Sequence, residues 1–345
     1  MKIILDGMGG DLAPAEVLKG AYEAVKELGI SVIMTGDEEK IKEAAQKENI
    51  SLDSIEIVNA PLVIPMDADP SLILKSYKES SMATGLSLLA EGKSDAFVSA
   101  GSTGALLFGS TFIVKRIKGV KRPAIGTMIP TAKKKPYLLL DAGANHDCRS
   151  DMLKQFALMG KAYCEGVFKM ENPSVALVNI GTEEHKGDDL RKEAYALLKN
   201  EKKLNFIGNV EARSLPLGEC DIAVCDGFTG NVILKLSEGF GKFISTSLKD
   251  ILFANPATKL SALVLKKRLN DFKSLMDYKE YGGAPLLGIR KPVIKAHGSS
   301  DAKAFKNAIR QAAFCVEGNL CSKLEELLAQ EKEVAEGDKE SSKNN

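Results

Sequence analysis

Short apolar runs alternate with amphipathic stretches along most of the chain. Lys2 to Leu5 reads as a strand. Pro14 then opens a helix whose apolar positions Val17, Leu18, Ala21, Ala24 and Val25 recur at helical spacing until Gly29 stops it. A second strand follows at Ser31 to Thr35. The alternation repeats at Asp95–Val98 before Ala105–Arg116, and at Tyr137–Leu140 before Ser150–Phe168. It returns at Val175–Asn179 before Leu190–Lys199, and at Ile222–Val224 before Val232–Ile251. This pattern predicts an α/β protein with a doubly wound, mostly parallel sheet.

Two regions break the rhythm. Ala60 to Lys78, with Pro61, Pro65 and Pro70, reads as an extended loop leading to a helix from Ser81. Residues 248–276 read as a protruding pair of helices joined near Asn255-Pro256, apolar but interrupted by Lys259, Lys266, Lys267, Arg268 and Lys273. The expected organisation is one large α/β catalytic domain over residues 1–330. A polar, charged and disordered tail is expected over 331–345.

Glycines and small polar residues concentrate just after the strands. The loops are DGMGGD from Asp6, SAGSTGA from Ser99, DAGAN from Asp141, NIGTEEHKGDD from Asn179 and DGFTGN from Asp226. If the strands are parallel, all five emerge at one edge of the sheet. There, glycine permits close backbone approach and helix N-termini offer N–H groups to anions. The arrangement is that of an enzyme built around an oxyanion.

Composition then removes alternatives. Lys+Arg number 47 against Asp+Glu 46, and there is no Trp, so nothing recommends nucleic acid as a partner. Six cysteines lack CxxC spacing and no signal peptide precedes Ile3, which predicts reduced thiols in a cytoplasmic protein. No apolar stretch is long enough to span a bilayer. Dinucleotide GxGxxG, Walker GxxxxGK[ST], HExxH and GxSxG patterns are all missing, and His146, His185 and His297 form no ligand cluster, so neither metal nor cofactor is expected.

What remains is amides, hydroxyls, backbone N–H groups and a few lysines. Such a set suits attack of phosphate on an activated acyl group, which needs cations to position the dianion and donors for the tetrahedral oxyanion. A thiolate leaving group, with a thiol pKa of about 8.5, needs little general-acid help. Lys186, in a glycine-bracketed loop after a strand, is the first candidate for neutralising phosphate. Asn145 and Asn231 close glycine loops as candidate amide donors, and Ser102 and Thr103 begin a helix as candidate phosphate ligands. Plainer roles stand beside these: solvated loop charge for Lys186, turn stabilisation for the asparagines, and helix capping for Asp6, Asp141 and Asp226. His297 in HGSSD is a candidate for substrate contact or simple packing.

Taken together, DGMGGD, SSMATGL, SAGSTGALL, LLLDAGAN, NIGTEEHKG, GNVEAR, DGFTGNV, MDYKEYGGAPLLG and KAHGSSDAKAF resemble one family in order, from Asp6 to Phe305. It is the bacterial phosphate acyltransferase family of phospholipid synthesis, which makes acyl phosphate from acyl-acyl carrier protein and inorganic phosphate. The resemblance implies a fold similar to isocitrate and isopropylmalate dehydrogenases and to phosphotransacetylase, a homodimer and no organic cofactor. It implies Lys186 and Asn231 as catalytic residues. As substrate-binding residues it implies Gly9, Gly10, Asp11, Ser102, Thr103, Gly104, Asn145, His185, Thr229, Gly230 and His297. This chain departs from the family pattern at Gly7, Ser102 and Ser214, where Ala, Asn and Asp are usual. At Ser102 a hydroxyl replaces a carboxamide, which alters phosphate-binding geometry.

Phe253, Leu260, Leu263, Val264 and Leu265, with Lys266, Lys267 and Arg268 beside them, read as a tip that enters an anionic membrane surface shallowly. The competing use of the same helices is a dimer interface. The expected protein is therefore cytoplasmic and peripherally membrane-associated. The resemblance implies acyl carrier protein and a downstream membrane glycerol-3-phosphate acyltransferase as partners. The rival readings are a dehydrogenase of similar fold and a membrane-associated scaffold that recruits acyl carrier protein.

Overall fold

Apolar residues on successive strand positions point to opposite faces, so strands that are apolar throughout demand cover on both sides. The computed structural model, which describes residues 1–276 and 282–329, meets that demand. Its strands and helices begin β1 (Lys2–Asp6), α1 (Ala15–Leu28), β2 (Ser31–Gly36), α2 (Glu38–Glu48), β3 (Ile55–Asn59), α3 (Ser81–Ala90), β4 (Ala96–Ser99) and α4 (Thr103–Gly109). They continue β5 (Ala124–Ile129), β6 (Tyr137–Leu140), α5 (Ser150–Val167), β7 (Ser174–Asn179), α6 (Asp189–Lys199), β8 (Asn205–Glu211) and β9 (Ile222–Val224). Then come α7 (Gly227–Phe253), α8 (Pro256–Met276), β10 (Ala284–Leu287), β11 (Val293–Lys295) and α9 (Ala302–Glu317).

Among the described residues, eleven strands form one sheet in the order β3-β2-β1-β4-β11-β10-β5-β6-β9-β7-β8. On one face Ile3, Leu5, Val98, Leu138 and Leu140 pack with buried residues of α1, α2, α5, α6 and α9. On the other, Ile4, Phe97 and Leu139 pack with α3 and α4. The α/β class and the mostly parallel sheet match the periodicity.

The parallel order is interrupted once. β10 pairs antiparallel with both β11 and β5, and β5 pairs antiparallel with β6. Three reversals in succession leave β6, β9, β7 and β8 running opposite to β3, β2, β1, β4 and β11. The five glycine loops therefore do not share one edge. Those after β1 and β4 leave one end of the sheet, and those after β6, β7 and β9 leave the other. β5 and β10 are six and four residues long, carry no glycine-rich loop after them, and escape a search based on strand-loop-helix alternation.

Two other departures are local. The region 60–78 contains a 3-10 turn at Pro70–Leu74, begun by Asp69, whose carboxylate accepts the Ser71 N–H at 2.8 Å. The predicted helix over 232–251 and the first member of the protruding pair are one helix, α7, of 27 residues; the break before Pro256 falls where expected. Residues 277–281, within the MDYKEYGG segment, and the tail expected over 331–345 lie outside the described residues. Among those described, no helix is long and apolar enough to cross a membrane.

Phe97 is fully buried at the centre of the sheet and touches the space that Gly85 leaves open in α3. Phe97→Ala should cost about 3–5 kcal/mol of unfolding free energy in urea titration, the range for emptying a buried aromatic site.

Candidate functional site

The two opposed sets of loops reach a common cavity of about 340 Å³ beside β5 and β10. Thr103 reaches it from the start of α4, and Ala296 and His297 from the end of β11. Ala142 and Gly143 come from the loop after β6, and Asn231 from the first turn of α7. Ile125, Met128 and Leu234 give it apolar walls, and Lys295, Lys235 and Glu238 bring charge.

Asp141 builds the rim. Its buried carboxylate accepts the backbone N–H groups of Ile125, Gly143 and Ala144 through Oδ1, and that of Asn145 through Oδ2, at 2.7–3.1 Å. Burial pushes its pKa up, against the pull of the Ala144 N–H, the Asn145 carboxamide and the Ile125 and Gly143 N–H groups. Gly143 takes φ +139°, a conformation reserved for glycine, directly beside Asn231. Gly230 is required for a different reason: an added Cβ would overlap the Asp141 carbonyl oxygen.

The Asn145 carboxamide donates to Pro123 O and to Asp141 Oδ2, both at 2.8 Å, so it fastens the loop rather than facing the cavity. Ser102 is buried as the N-cap of α4, accepting the Ala105 N–H at 3.5 Å. Gly104 lies in the same turn, where an added Cβ would meet Pro70. Thr229 donates its hydroxyl to Asp226 at 2.8 Å and accepts from Arg191 at 3.0 Å.

Gly9, Gly10 and Asp11 line a second, smaller space of about 150 Å³ with Asp6, Gly101 and the segment Val63–Met66. Asp6 is buried there, bonded by the hydroxyls of Ser81 and Ser99 at 2.6 Å each. Desolvation raises its pKa, opposed by Ser81 and Ser99. One backbone bond links this loop to the segment of His297: the Asp11 N–H donates to the Gly298 carbonyl, one residue beyond it, at 2.8 Å. His297 is exposed, with Nδ1 2.9 Å from the Ser299 hydroxyl.

Lys186 and His185 sit in the loop after β7, outside both spaces. That loop is nevertheless tied to the α7 first turn. Arg191, in α6, pairs with Asp188 at 2.8 Å and also with Asp226, which caps α7 by accepting the Thr229 N–H at 2.9 Å. The residue that sequence reasoning missed is Lys295. It occurs in KAHGSSD, where attention falls on the histidine, and only the end of an unpredicted strand places it in the cavity wall.

The thiols offer no activated nucleophile. All six cysteines are free, and Cys148, nearest to the rim loop, is pushed up to about 11 by burial and by the Asp141 charge. Among the described residues, no group of three or more His, Cys, Asp or Glu side chains is placed to hold a metal ion.

A family model described as "Fatty acid synthesis protein" matches residues 1–323. A phosphate acyltransferase of Clostridium botulinum (strain Loch Maree / Type A3) is 49% identical over 329 residues, covering 95% of this chain and 98% of its own. The chain belongs to the bacterial phosphate acyltransferase family. A phosphate acyltransferase of Clostridium acetobutylicum is also 49% identical, covering 95% and 99%. Among solved structures, EutD phosphotransacetylase from Staphylococcus aureus superposes with a TM-score of 0.61 at 22% identity, over 92% of this chain and 94% of its own. The 4-hydroxythreonine-4-phosphate dehydrogenase of Klebsiella pneumoniae gives 0.54 at 12%, over 92% and 99%. At these identities the likeness concerns the fold, and it is the fold expected. Family membership makes the chain an acyltransferase of fatty acid and phospholipid synthesis.

Gly230→Ala should destabilise the protein by about 3 kcal/mol or more, because backbone rather than a flexible side chain occupies the space. A thermal melt indistinguishable from wild type would show that α7 moves freely against Asp141.

Proposed function

We propose that the enzyme transfers a fatty acyl group from acyl carrier protein to inorganic phosphate. The observation that carries this reading is a cavity with apolar walls at Ile125, Met128 and Leu234 and, facing them, Thr103, Asn231, Lys295 and His297. An acyl thioester carbonyl fits beside the walls and a tetrahedral anion beside the polar groups. The relatives' name, phosphate acyltransferase, supports phosphate as the second substrate.

In the proposed step a phosphate oxygen attacks the thioester carbonyl carbon. The oxyanion collapses, the C–S bond breaks and sulfur leaves as thiolate, which gives acyl phosphate and the free carrier thiol. Asn231 donates its amide N–H to the developing oxyanion from the α7 first turn, where the helix N-terminus also favours negative charge. Lys186 contributes positive charge from the loop that Arg191 ties to that turn. The raised thiol pKa values favour direct attack over an acyl-cysteine intermediate.

The long helices support the proposed dimer and membrane contact. Phe228, Val232, Leu236, Phe240 and Phe243 recur every three or four residues on α7 and are all exposed, as an interface between two copies would require. Beyond them Phe253, Leu260, Leu263 and Val264 are also exposed, beside the exposed Lys266 and Lys267. A helix pair that packs along its base and presents its tip accommodates both.

Thiol release from palmitoyl-acyl carrier protein should require inorganic phosphate and yield a product that hydroxylamine traps as hydroxamate. Lys186→Ala and Asn231→Ala should each lower kcat roughly a hundredfold or more. Release without phosphate would indicate hydrolysis, and no release a scaffold. Separately, Leu263→Glu with Val264→Glu should abolish flotation with anionic phospholipid vesicles while leaving thiol release from soluble carrier protein within about twofold. Unchanged flotation would remove the tip from membrane binding.

A further inference from the structure

A dianion in a partly apolar cavity needs a cation held in place before it arrives, and Lys186 lies outside the cavity. Among the described residues, two lysines line it. Lys235 is exposed and already paired with Glu238 at 2.8 Å. Lys295 is different in every respect. It ends β11, where its backbone is matched to Ser99 of β4 on one side and Ala284 of β10 on the other. Its ammonium donates to the carbonyls of Ala100 and Ala296, which leaves the third of its three N–H groups for the cavity.

The surrounding charges leave the ammonium available. Asp6 acts on Lys295 through space, but its carboxylate oxygens are engaged by Ser81, Ser99 and the Met8 N–H. Asp11 acts from the same loop, and Lys235 opposes both from α7. On α9, packed against β11, Asp301 accepts the Ala304 N–H as the helix cap. A charge on a strand flanked on both sides is more rigid than one on a loop, and rigidity is what electrostatic stabilisation requires.

We propose that Lys295 is the ammonium that binds the phosphate co-substrate in this cavity. The assignment deepens the acyl-to-phosphate reading and rests on it. Lys295 holds the incoming phosphate from the strand end, while Asn231, across the cavity, faces the carbonyl being attacked. The sequence motif KAHGSSD thus contributes through its lysine as well as through His297.

The test separates binding from turnover. Isothermal titration of inorganic phosphate into the full-length enzyme, without thioester, should show saturable binding that Lys295→Met weakens at least tenfold. Lys295→Arg, which keeps the charge, should recover part of it. In steady-state assays Lys295→Met should raise the KM for phosphate by a similar factor and leave the KM for acyl-acyl carrier protein within about twofold. Wild-type phosphate binding with an unchanged Lys295→Met would overturn the assignment and leave the acyl-to-phosphate reading intact. No phosphate binding by wild type, with phosphate-independent thiol release, would overturn the reading itself.

If Lys295→Met does not melt cooperatively, the wild-type pH profile decides. Desolvation lowers the Lys295 pKa to about 8, against the opposing pull of Asp6 and Asp11. The ammonium is charged below that pH and is lost above it, so phosphate affinity should fall, by up to about tenfold per unit, between pH 8 and 9.5. Affinity that stays flat across that range overturns the proposal.

Discussion

The buried carboxylate of Asp141 joins the parts on which the cavity depends. It closes β6, takes the Ile125 N–H of the neighbouring β5, and gathers Gly143, Ala144 and Asn145 into a fixed loop. A carboxylate without partners at this depth would be costly, and several N–H donors to one anion offset part of the desolvation. The same residue's carbonyl sets how closely α7 approaches, because Gly230 packs directly on it. Asn231 follows Gly230, so its position at the rim is inherited from this contact.

The reversal of strand direction has a comparable effect on a larger scale. In a wholly parallel sheet the five glycine loops would crowd one edge. With β10 and β5 inserted, the loops after β4 and β11 meet those after β6 and β9 across a short antiparallel seam. Electropositive groups can then be held on facing rims: a strand-end ammonium on one side and helix-start N–H groups on the other. Such an arrangement would suit the proposed reaction, which must bring two separate substrates together.

How much of this was legible in the sequence follows from the physics of each signal. Repeating strand-loop-helix units were visible because a strand buried on both faces and an amphipathic helix have different periods. β5 and β10 were not, since a short apolar run without a following helix resembles any buried segment. Their direction depends on pairing, which no local pattern encodes. At the candidate site, the DAGAN and DGFTGN loops and Asn231 were recognisable from glycine spacing, and the structure brings Gly143 and Asn231 together. Asn145 and Ser102 share that composition, yet their side chains bond to their own loops and helices, an outcome decided by tertiary contact. Lys295 was hidden because a lysine beside a histidine and two serines draws no notice until β11 is seen to end at the cavity.

The two sides of α7 connect the site to the proposed assembly. Asn231, Leu234, Lys235 and Glu238 line the cavity, whereas Phe228, Val232, Leu236, Phe240 and Phe243 are exposed on the helix. Both sets occupy the same four turns, so a surface covering the outer stripe lies one helix diameter, roughly 10 Å, from the cavity. Packing against a second copy would restrain the helix that carries Asn231 and Leu234. Conversely, an acyl group against Leu234 would bear on the helix from inside. Self-association at the stripe, as proposed, would therefore act on the site through the helix that carries both.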